Sequence, residues 1–459
     1  MYNAETTIAA ISTPPGKGGV ALIRMSGNEA VAIAARCFTL RSGKPLADLP
    51  ARHAAYGDVI FEGAPIDDAV ITVFRAPHSY TGEDTVEICC HGGILLTRTV
   101  LSALFAAGAE PAEPGEFTRR AVLSGRLSLT EAEAIGCLLE AKSTAQLRLS
   151  ASRARTRLAK ELEELHNAAL TLMSSLYAKI DYPEEDLADL SNEEILTALR
   201  DMRARAEKLL STYRTGRAVN EGIPTVLCGT PNVGKSALYN ALAGEDLAIV
   251  TDYAGTTRDV LSVTVPLGRV MLRLSDTAGL RDAGDPVERI GVDRSRARME
   301  DSELLLAVFD GSRPLTDEET ALLVELKNSG KCVVILINKN DLPQALDAAV
   351  FADFPYVLPI SATTGDGLKE LTALIEKLFT DEEIRLGEEA VIASARQYTA
   401  LTRAHEAFSR SYDAFAMGLP ADLASSDLED ALAAMAELEG RTVNEEIVAD
   451  IFRRFCVGK

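Results

Sequence analysis

At 459 residues the chain has room for about three domains and more than one buried core. Hydrophobic residues make up 47% and charged residues 25%, which excludes wholesale disorder. Lys and Arg number 47 against 68 Asp and Glu, a net charge of −21 that argues against non-specific coating of nucleic acid or anionic membrane.

No apolar run approaches the roughly 18–20 residues of a membrane span. The opening MYNAETTIAAISTPPGKGG lacks the basic flank and long apolar core of a secretory signal. Seven cysteines (Cys37, Cys89, Cys90, Cys137, Cys228, Cys332 and Cys456) are dispersed without a C-x-x-C pair, which fits a reducing cytoplasm and disfavours structural zinc. The expectation is a soluble, cytoplasmic, multidomain protein.

Residues 1–118 mix strand and helix. TTIAAIS (6–12), VALIRMS (20–26), YGDVIF (56–61), AVITVF (69–74) and TVEICC (85–90) are β-branched or alternating and bounded by Gly, Pro or Asp. Asn28–Phe38 and Ile94–Ala107 read as helices between them, which makes an α+β module. Cys89 and Cys90 finish an apolar strand and are assigned to the core, and His91 before two glycines is read as structural.

From 119 to 217 the texture is helical, with Glu131–Ala141, Ala145–Tyr177 and Glu193–Tyr213 showing 3.6-residue periodicity. Residues 119–160 hold nine Lys or Arg and three Glu, a local charge of +6. A solvated helix face is the plainer reading of that charge, and an RNA-facing patch is the sharper one.

Between 218 and 380 short apolar strands alternate with helices: TVLCG (225–229), VLSVTV (260–265), VMLRLS (270–275), LLLAVFD (304–310), VVILIN (333–338) and VLPIS (357–361). That alternation predicts a mostly parallel doubly wound sheet, ending in a helix at Leu368–Phe379. Residues 381–459 return to helix at Ser394–Met417, Ser426–Glu439 and Val443–Phe455. The economical arrangement is one helical domain interrupted by an inserted α/β domain.

The α/β segment carries the chemistry. Gly229-Thr-Pro-Asn-Val-Gly234-Lys235-Ser236 fits G-x-x-x-x-G-K-[ST] and runs from a strand into a helix. Such a loop curls its N–H groups onto phosphate at a helix N-terminus; Lys235 neutralises β- and γ-phosphates, and Ser236 ligates Mg²⁺. Asp276-Thr-Ala-Gly279 and Asn338-Lys339-Asn340-Asp341 each close a later strand. A carboxylate at Asp341 accepts from guanine N1–H and its exocyclic amine; adenine leaves it unpaired, so GTP is expected over ATP. Ser361-Ala362 offers backbone N–H to guanine O6, and Ala254-Gly-Thr-Thr-Arg-Asp259 supplies a threonine for Mg²⁺. The order of these motifs defines a guanine-nucleotide site.

Catalysis is less direct. The position after D-x-x-G, where Ras-like GTPases hold a water-orienting Gln, is Leu280. Asp282, Asp285, Glu288, Arg258, Arg281 and a bound cation are all candidates for the missing group.

End to end, the chain resembles the MnmE (TrmE) family of bacterial tRNA-modifying GTPases. The resemblance rests on PPGKGGVALIRMSG (14–27), YTGEDTVEICCHGG (80–93), PGEFTRRAVLSGRLSLTEAEAI (114–135), GTPNVGKS, GTTRD, DTAGLRDAGDPVERIG (276–291), NKND and the terminal Cys456-Val-Gly-Lys459. It implies an N-terminal folate-binding and dimerisation domain (1–118), a helical domain in two parts (119–217 and 381–459) and an inserted P-loop GTPase domain (218–380). It also implies a homodimer through the N-terminal domain. With the FAD-dependent partner MnmG in a heterotetramer, it implies aminomethyl or carboxymethylaminomethyl modification at C5 of the wobble uridine. The one-carbon donor is a tetrahydrofolate, in 5-formyl or 5,10-methylene form.

The same resemblance assigns the residues. Nucleotide contacts fall on Asn232, Val233, Gly234, Lys235, Ser236 and Ala237, and on Thr251, Asp252, Tyr253, Ala254, Gly255, Thr256 and Thr257. They continue at Asp276, Thr277, Ala278 and Gly279, and around guanine at Asn338, Lys339, Asp341, Ser361, Ala362 and Thr363. Ser236 and Thr257 match Mg²⁺ ligands, and Asn232, Thr251, Tyr253 and Thr256 match a K⁺ shell. Glu288 matches the family's catalytic glutamate, which answers the Leu280 question. Folate contacts carry over to Arg24, Glu87, Arg126 and Lys459; Arg126 stands where some members carry Lys, which keeps charge but changes geometry. Cys456, beside Lys459, is assigned a functional role.

Two other functions compete. A regulatory or ribosome-assembly GTPase needs no folate domain, and a pure scaffold needs no hydrolysis. The acidic balance assigns most tRNA affinity to the partner, with residues 119–160 at most auxiliary.

Overall fold

The computed structural model describes residues 6–154, 157–181, 191–243, 262–275 and 299–439, together with Phe455 and Gly458. The chain forms two compact units, one of residues 1–136 with 436–459 and the other of residues 137–435. Among the described residues no helix is long and apolar enough to cross a membrane.

The first unit is built on a seven-stranded sheet: β1 (Ile8–Ile11), β2 (Val20–Ser26), β3 (Phe38–Leu40), β4 (Ala54–Phe61), β5 (Ala64–Phe74), β6 (Thr85–His91) and β7 (Glu110–Pro111). Their spatial order is β3-β4-β5-β6-β2-β1-β7, antiparallel except for β1 with β7. Helices α1 (Ala30–Cys37) and α2 (Ile94–Ala106) cover one face. Period-two alternation sends Ile23, Met25, Ile71, Val73, Val86, Ile88 and Cys90 into that core. The opposite face carries Arg24, Val70, Glu87 and Cys89. The assignment of both cysteines to the core therefore holds for Cys90 and fails for Cys89, which is half-buried on the other side of the pleat. The short β3 and β7 escape the sequence reading; β3 follows α1 without an intervening residue, and β7 is two residues long.

Helices α3 (Glu116–Leu123) and α4 (Leu129–Glu140) continue the chain, and the compact unit runs through α3 into α4 as far as Gly136. Phe455 returns from the C-terminal end to pack with Val122, Leu129 and Ala132.

In the second unit, α5 (Thr144–Ala154), α6 (Arg157–Asp181), α7 (Asn192–Ser211) and α8 (Tyr213–Asn220) precede the α/β part. A capping box between Ser191 and Glu194 starts α7. After the α/β part come α12 (Ala395–Ala416) and α13 (Ala421–Glu439), and α12 packs along α7. Thr215 Oγ1 accepts from Asp381 N at 2.8 Å and Thr212 Oγ1 from Ile392 N at 3.0 Å, so both flanks of the α/β segment join one helical body. A helical body interrupted by the α/β segment is thus present, while residues 119–136 and 436–459, expected in it, fall in the first compact unit; the segment read as helix at Val443–Phe455 lies, save Phe455, outside the described residues.

Between the flanks stands a six-stranded sheet of β8 (Ile223–Cys228), β9 (Ser262–Leu267), β10 (Val270–Ser275), β11 (Leu304–Asp310), β12 (Cys332–Asn338) and β13 (Val357–Pro359). Its order is β13-β12-β11-β8-β10-β9, parallel except for β9, as the alternation predicts. Every residue of β11 is buried, as expected of a central parallel strand. Helices α9 (Lys235–Ala243), α10 (Asp317–Asn328) and α11 (Leu368–Phe379) complete the module. The loops that follow β8, β11, β12 and β13 emerge at one edge, where a doubly wound sheet places its ligands.

Candidate functional site

The loop after β8 is shaped by its own backbone. Asn232 at φ 66° and Gly234 at φ 101° turn the backbone so that α9 starts at Lys235. A β-carbon at Gly234 would strike Asn338 Nδ2, so the second glycine of the motif is needed for space as well as for its φ. Lys235 Nζ lies over this loop, donating to Gly229 O at 2.6 Å and Thr230 O at 2.9 Å. Cys228, just before the loop, is buried, and burial pushes its thiol up to about 12, which leaves it inert.

Asn338 joins three segments. Its Nδ2 donates to Val233 O at 2.8 Å and its Oδ1 accepts from Ala362 N at 2.9 Å, with 3% of the residue exposed. Phosphate loop, NKND loop and Ser361-Ala362 loop therefore share one buried amide, which no apolar residue replaces without orphaning a backbone group. Ser361 Oγ donates to Asp341 Oδ1 at 2.6 Å and holds that exposed carboxylate at the loop edge. Ser361 N–H donates to Asp366 O at 2.9 Å, which closes the loop that carries Ala362.

Lys339, at φ 67°, donates to Asp310 Oδ2 at 2.6 Å. Burial raises the Asp310 carboxyl, but hydrogen bonds from Lys339 and Ser312 outweigh it and hold the group below its usual range. Asp310 figured in the sequence reading only as the end of a strand. An acidic residue closing a buried β-strand, one strand before NKND, was the available signal.

Of the expected nucleotide-site residues, Asn232, Val233, Gly234, Lys235, Ser236, Ala237, Asn338, Lys339, Asp341, Ser361, Ala362 and Thr363 are placed at this edge. Thr251 through Thr257, Arg258, Asp276 through Gly279, Leu280, Arg281, Asp282, Asp285 and Glu288 lie outside the described residues, as do Cys456 and Lys459.

In the first unit, Arg24 on β2 stands opposite Glu87 on β6. Arg24 Nε donates to Glu87 Oε1 at 2.9 Å and Nη2 to the same oxygen at 2.8 Å, with side-chain exposures of 15% and 22%. The guanidinium lies 5.1 Å from the ring centre of Tyr80 and 5.8 Å from that of Phe117. Arg126 borders the same loop, since a β-carbon at Gly82 would sit 3.3 Å from Arg126 Cγ. Three of the four positions carried over by resemblance thus gather around residues 80–87. The fourth is in the tail, whose Gly458 O accepts from Ser12 Oγ at 2.9 Å.

Two family models cover most of the chain: MnmE helical domain over residues 129–456 and GTP-binding protein TrmE N-terminus over residues 7–126. The tRNA modification GTPase MnmE of Geobacillus thermodenitrificans is 40% identical over 99% of both chains. The chain belongs to the MnmE family. A second MnmE, from Heliobacterium modesticaldum, is 41% identical over 99% of both chains. Among solved structures, the G domain of the T. maritima FeoB iron transporter matches 33% of this chain and 96% of that chain at 26% identity, with a TM-score of 0.27. In the MnmE frame the fold is an N-terminal TrmE domain, a helical domain and a G domain.

Proposed function

We propose that this chain is a potassium-dependent GTPase whose cycle, with the FAD-dependent partner MnmG, drives C5 modification of the wobble uridine of tRNAs. The coarse part, a tRNA modification GTPase, follows from family membership. The observation that carries the nucleotide half is Asn338, whose single side chain fastens the phosphate loop to both guanine loops.

On binding GTP, Lys235 exchanges the carbonyls of Gly229 and Thr230 for β- and γ-phosphate oxygens, and the N-terminal amides of α9 add positive potential. Asp341, oriented by Ser361, accepts from guanine N1–H and its amine. The hydroxyl of Ser236 and the amide of Asn232 suit hard cations; Ser236 with Thr257 would hold Mg²⁺, and Asn232, Thr251, Tyr253 and Thr256 would hold K⁺. Bound there, the two ions supply positive charge to the phosphate oxygens. Glu288 holds the attacking water.

The Arg24–Glu87 pair suits a folate. A partly exposed carboxylate can accept from a pterin amide and amine, the guanidinium can meet a carboxylate, and Tyr80 and Phe117 offer ring surface. A tetrahydrofolate bound there would supply the one-carbon unit; Arg126 and Lys459 would serve as cations for its glutamate tail, and Cys456 as a reactive thiol. A homodimer through the N-terminal domain and a heterotetramer with MnmG complete the assembly. At a net charge of −21, this subunit leaves most tRNA affinity to the partner.

Nucleoside mass spectrometry of bulk tRNA from a strain lacking the gene tests the whole reading. Loss of C5-aminomethyl-type uridines, restored by wild type and not by Lys235→Ala, is expected. An unchanged profile removes the modification role. Hydrolysis faster in KCl than in NaCl at equal ionic strength tests the cation shell, and equal rates take Asn232 out of it. Binding of 5-formyltetrahydrofolate, lost in Arg24→Ala, tests the sheet site.

A further inference from the structure

A second route joins the phosphate loop to the guanine loop, through charged side chains beyond the end of β11. Thr230, the first residue after Gly229, donates from Oγ1 to Glu319 Oε1 at 2.8 Å across 89 residues of sequence. Glu319 is the third residue of α10 and is 1% exposed. Its Oε2 accepts from Thr316 N at 2.9 Å, and its own N–H donates to Thr316 Oγ1 at 3.2 Å, which completes a capping box. Arg313 clamps both carboxylate oxygens, Nη1 to Oε2 at 2.9 Å and Nη2 to Oε1 at 2.8 Å.

The capping box accounts for a Glu or Gln at this position and for nothing more. It requires neither the bidentate arginine nor the threonine of the phosphate loop. With Thr230, Thr316 and Arg313 in place, the acceptor sites of the carboxylate are filled, so a buried charge that would otherwise be costly is stable and rigid. Arg313 Nε also lies 3.7 Å from Asp310 Oδ2, the oxygen that binds Lys339 Nζ at 2.6 Å. Thr230, Glu319, Arg313, Asp310 and Lys339 therefore form one chain between the two ends of the nucleotide site.

We propose that Glu319 is a positioning residue for that site, setting the first turn of the phosphate loop through Thr230 and coupling it to Lys339 through Arg313 and Asp310. The proposal rests on the guanine-nucleotide reading above. Glu319 and Arg313 act by fixing residues that line the site.

The test uses the full chain and a fluorescent GDP analogue, with GTP hydrolysis at saturating nucleotide as a second readout. Thr230→Val removes the hydroxyl and leaves the capping box intact. Glu319→Gln keeps the cap, which Gln also serves, and removes the charge. Each is expected to raise Kd for GDP about tenfold, the scale of one hydrogen bond to a charged group. KM for GTP rises with it while kcat stays within about twofold, since the interaction is present before and after the bond breaks. Thr230→Ser restores wild-type affinity, and the double variant is no worse than the weaker single one. Wild-type affinity in Thr230→Val, or independent effects in the double variant, overturns the coupling. A fall in kcat with KM unchanged overturns it as well. If the wild-type chain binds no GDP, the nucleotide reading itself has failed, a result separate from all of these.

Discussion

In the α/β module the charges between the two nucleotide loops run in a chain from Thr230 through Glu319, Arg313 and Asp310 to Lys339, and the carboxylates inside it are buried. On the open face of the N-terminal sheet, Arg24 and Glu87 pair with each other and both stay partly exposed. The first arrangement spends its acceptor capacity on protein, which suits loops that must keep one shape around a ligand. The second holds a donor set and an acceptor set that can be shared with a ligand, because both side chains keep access to solvent. Rigid framing belongs to one site and exchangeable pairing to the other.

The buried Arg120 cluster shows that this contrast is between surfaces rather than between units. Arg120 is 1% exposed and donates to Thr6 O at 2.9 Å, Glu116 Oε1 at 2.9 Å and Glu83 Oε2 at 3.1 Å, within a few residues of the Tyr80 loop. Arg120→Ala should destabilise the first unit by about 3–5 kcal/mol, because two carboxylates lose their buried partner. Urea denaturation followed by circular dichroism measures it. Adding Glu83→Gln and Glu116→Gln should recover part of the loss; no recovery would show that packing rather than charge carries the effect.

At the nucleotide edge, Lys235→Ala should lower kcat/KM for GTP by about 100- to 1000-fold, the range for removal of one charged contact to the transition state. Phosphate release gives the rate. A loss below tenfold would mean that the helix N-terminus alone holds the phosphates.

Acid should separate the two surfaces. Burial raises Glu319, yet hydrogen bonds from Arg313, Thr316 N–H and Thr230 outweigh it, and the carboxyl ends below its ordinary value of 4.5. Asp310 is depressed in the same sense from 3.8. A depressed carboxyl contributes stability that is present above its ordinary value and lost as pH falls through the folded one. Thermal midpoints of the α/β module should therefore be flat near neutrality and fall below about pH 4.5, and the decline should be shallower in Glu319→Gln. A midpoint that already declines between pH 7 and 6 would place the sensitivity elsewhere.

How much could be read beforehand follows the same division. The phosphate loop is local: eight residues between a strand and a helix, whose glycines and lysine act where they stand in sequence. Its partners Asn338, Asp341 and Ser361 end strands of one parallel sheet, so motif order reveals them. Glu319 and Arg313 were invisible because their partner Thr230 is 89 residues away and is reached by tertiary packing. Arg24 and Glu87 meet through antiparallel register, which composition and periodicity do not specify; resemblance found them, and the pairing of β2 with β6 explains why they belong together. Cys89 lies two residues beyond Glu87 in a period-two strand, so alternation rather than the apolar end of the strand gives its side.

The tail allows a subtler test. Gly458 has φ 100°, and a β-carbon there would collide with Ile11 O. Gly458→Ala should lose the bond from Ser12 Oγ and loosen the terminal residues, a local effect of about 1–3 kcal/mol. Carboxypeptidase should trim the variant faster while its global denaturation midpoint stays put. Equal trimming would mean that Phe455, packed on α4, is a sufficient anchor.

The smallest effect expected is also the most local. Burial, with help from Asp67, pushes Cys90 up to about 11, so at pH 8 roughly one thiol in a thousand is ionised. Cys89 is half-buried on the face that carries Glu87, and Cys90 points into the helix-covered core. Iodoacetamide at pH 8, read by peptide mass spectrometry, should modify Cys89 ahead of Cys90. If the open sheet face receives the folate, 5-formyltetrahydrofolate should slow alkylation of Cys89 severalfold and leave Cys90 unchanged, because only one of two adjacent thiols lies on the ligand's side of the sheet. Protection of both would point to a global tightening of the unit, and protection of neither would move the ligand away from this face.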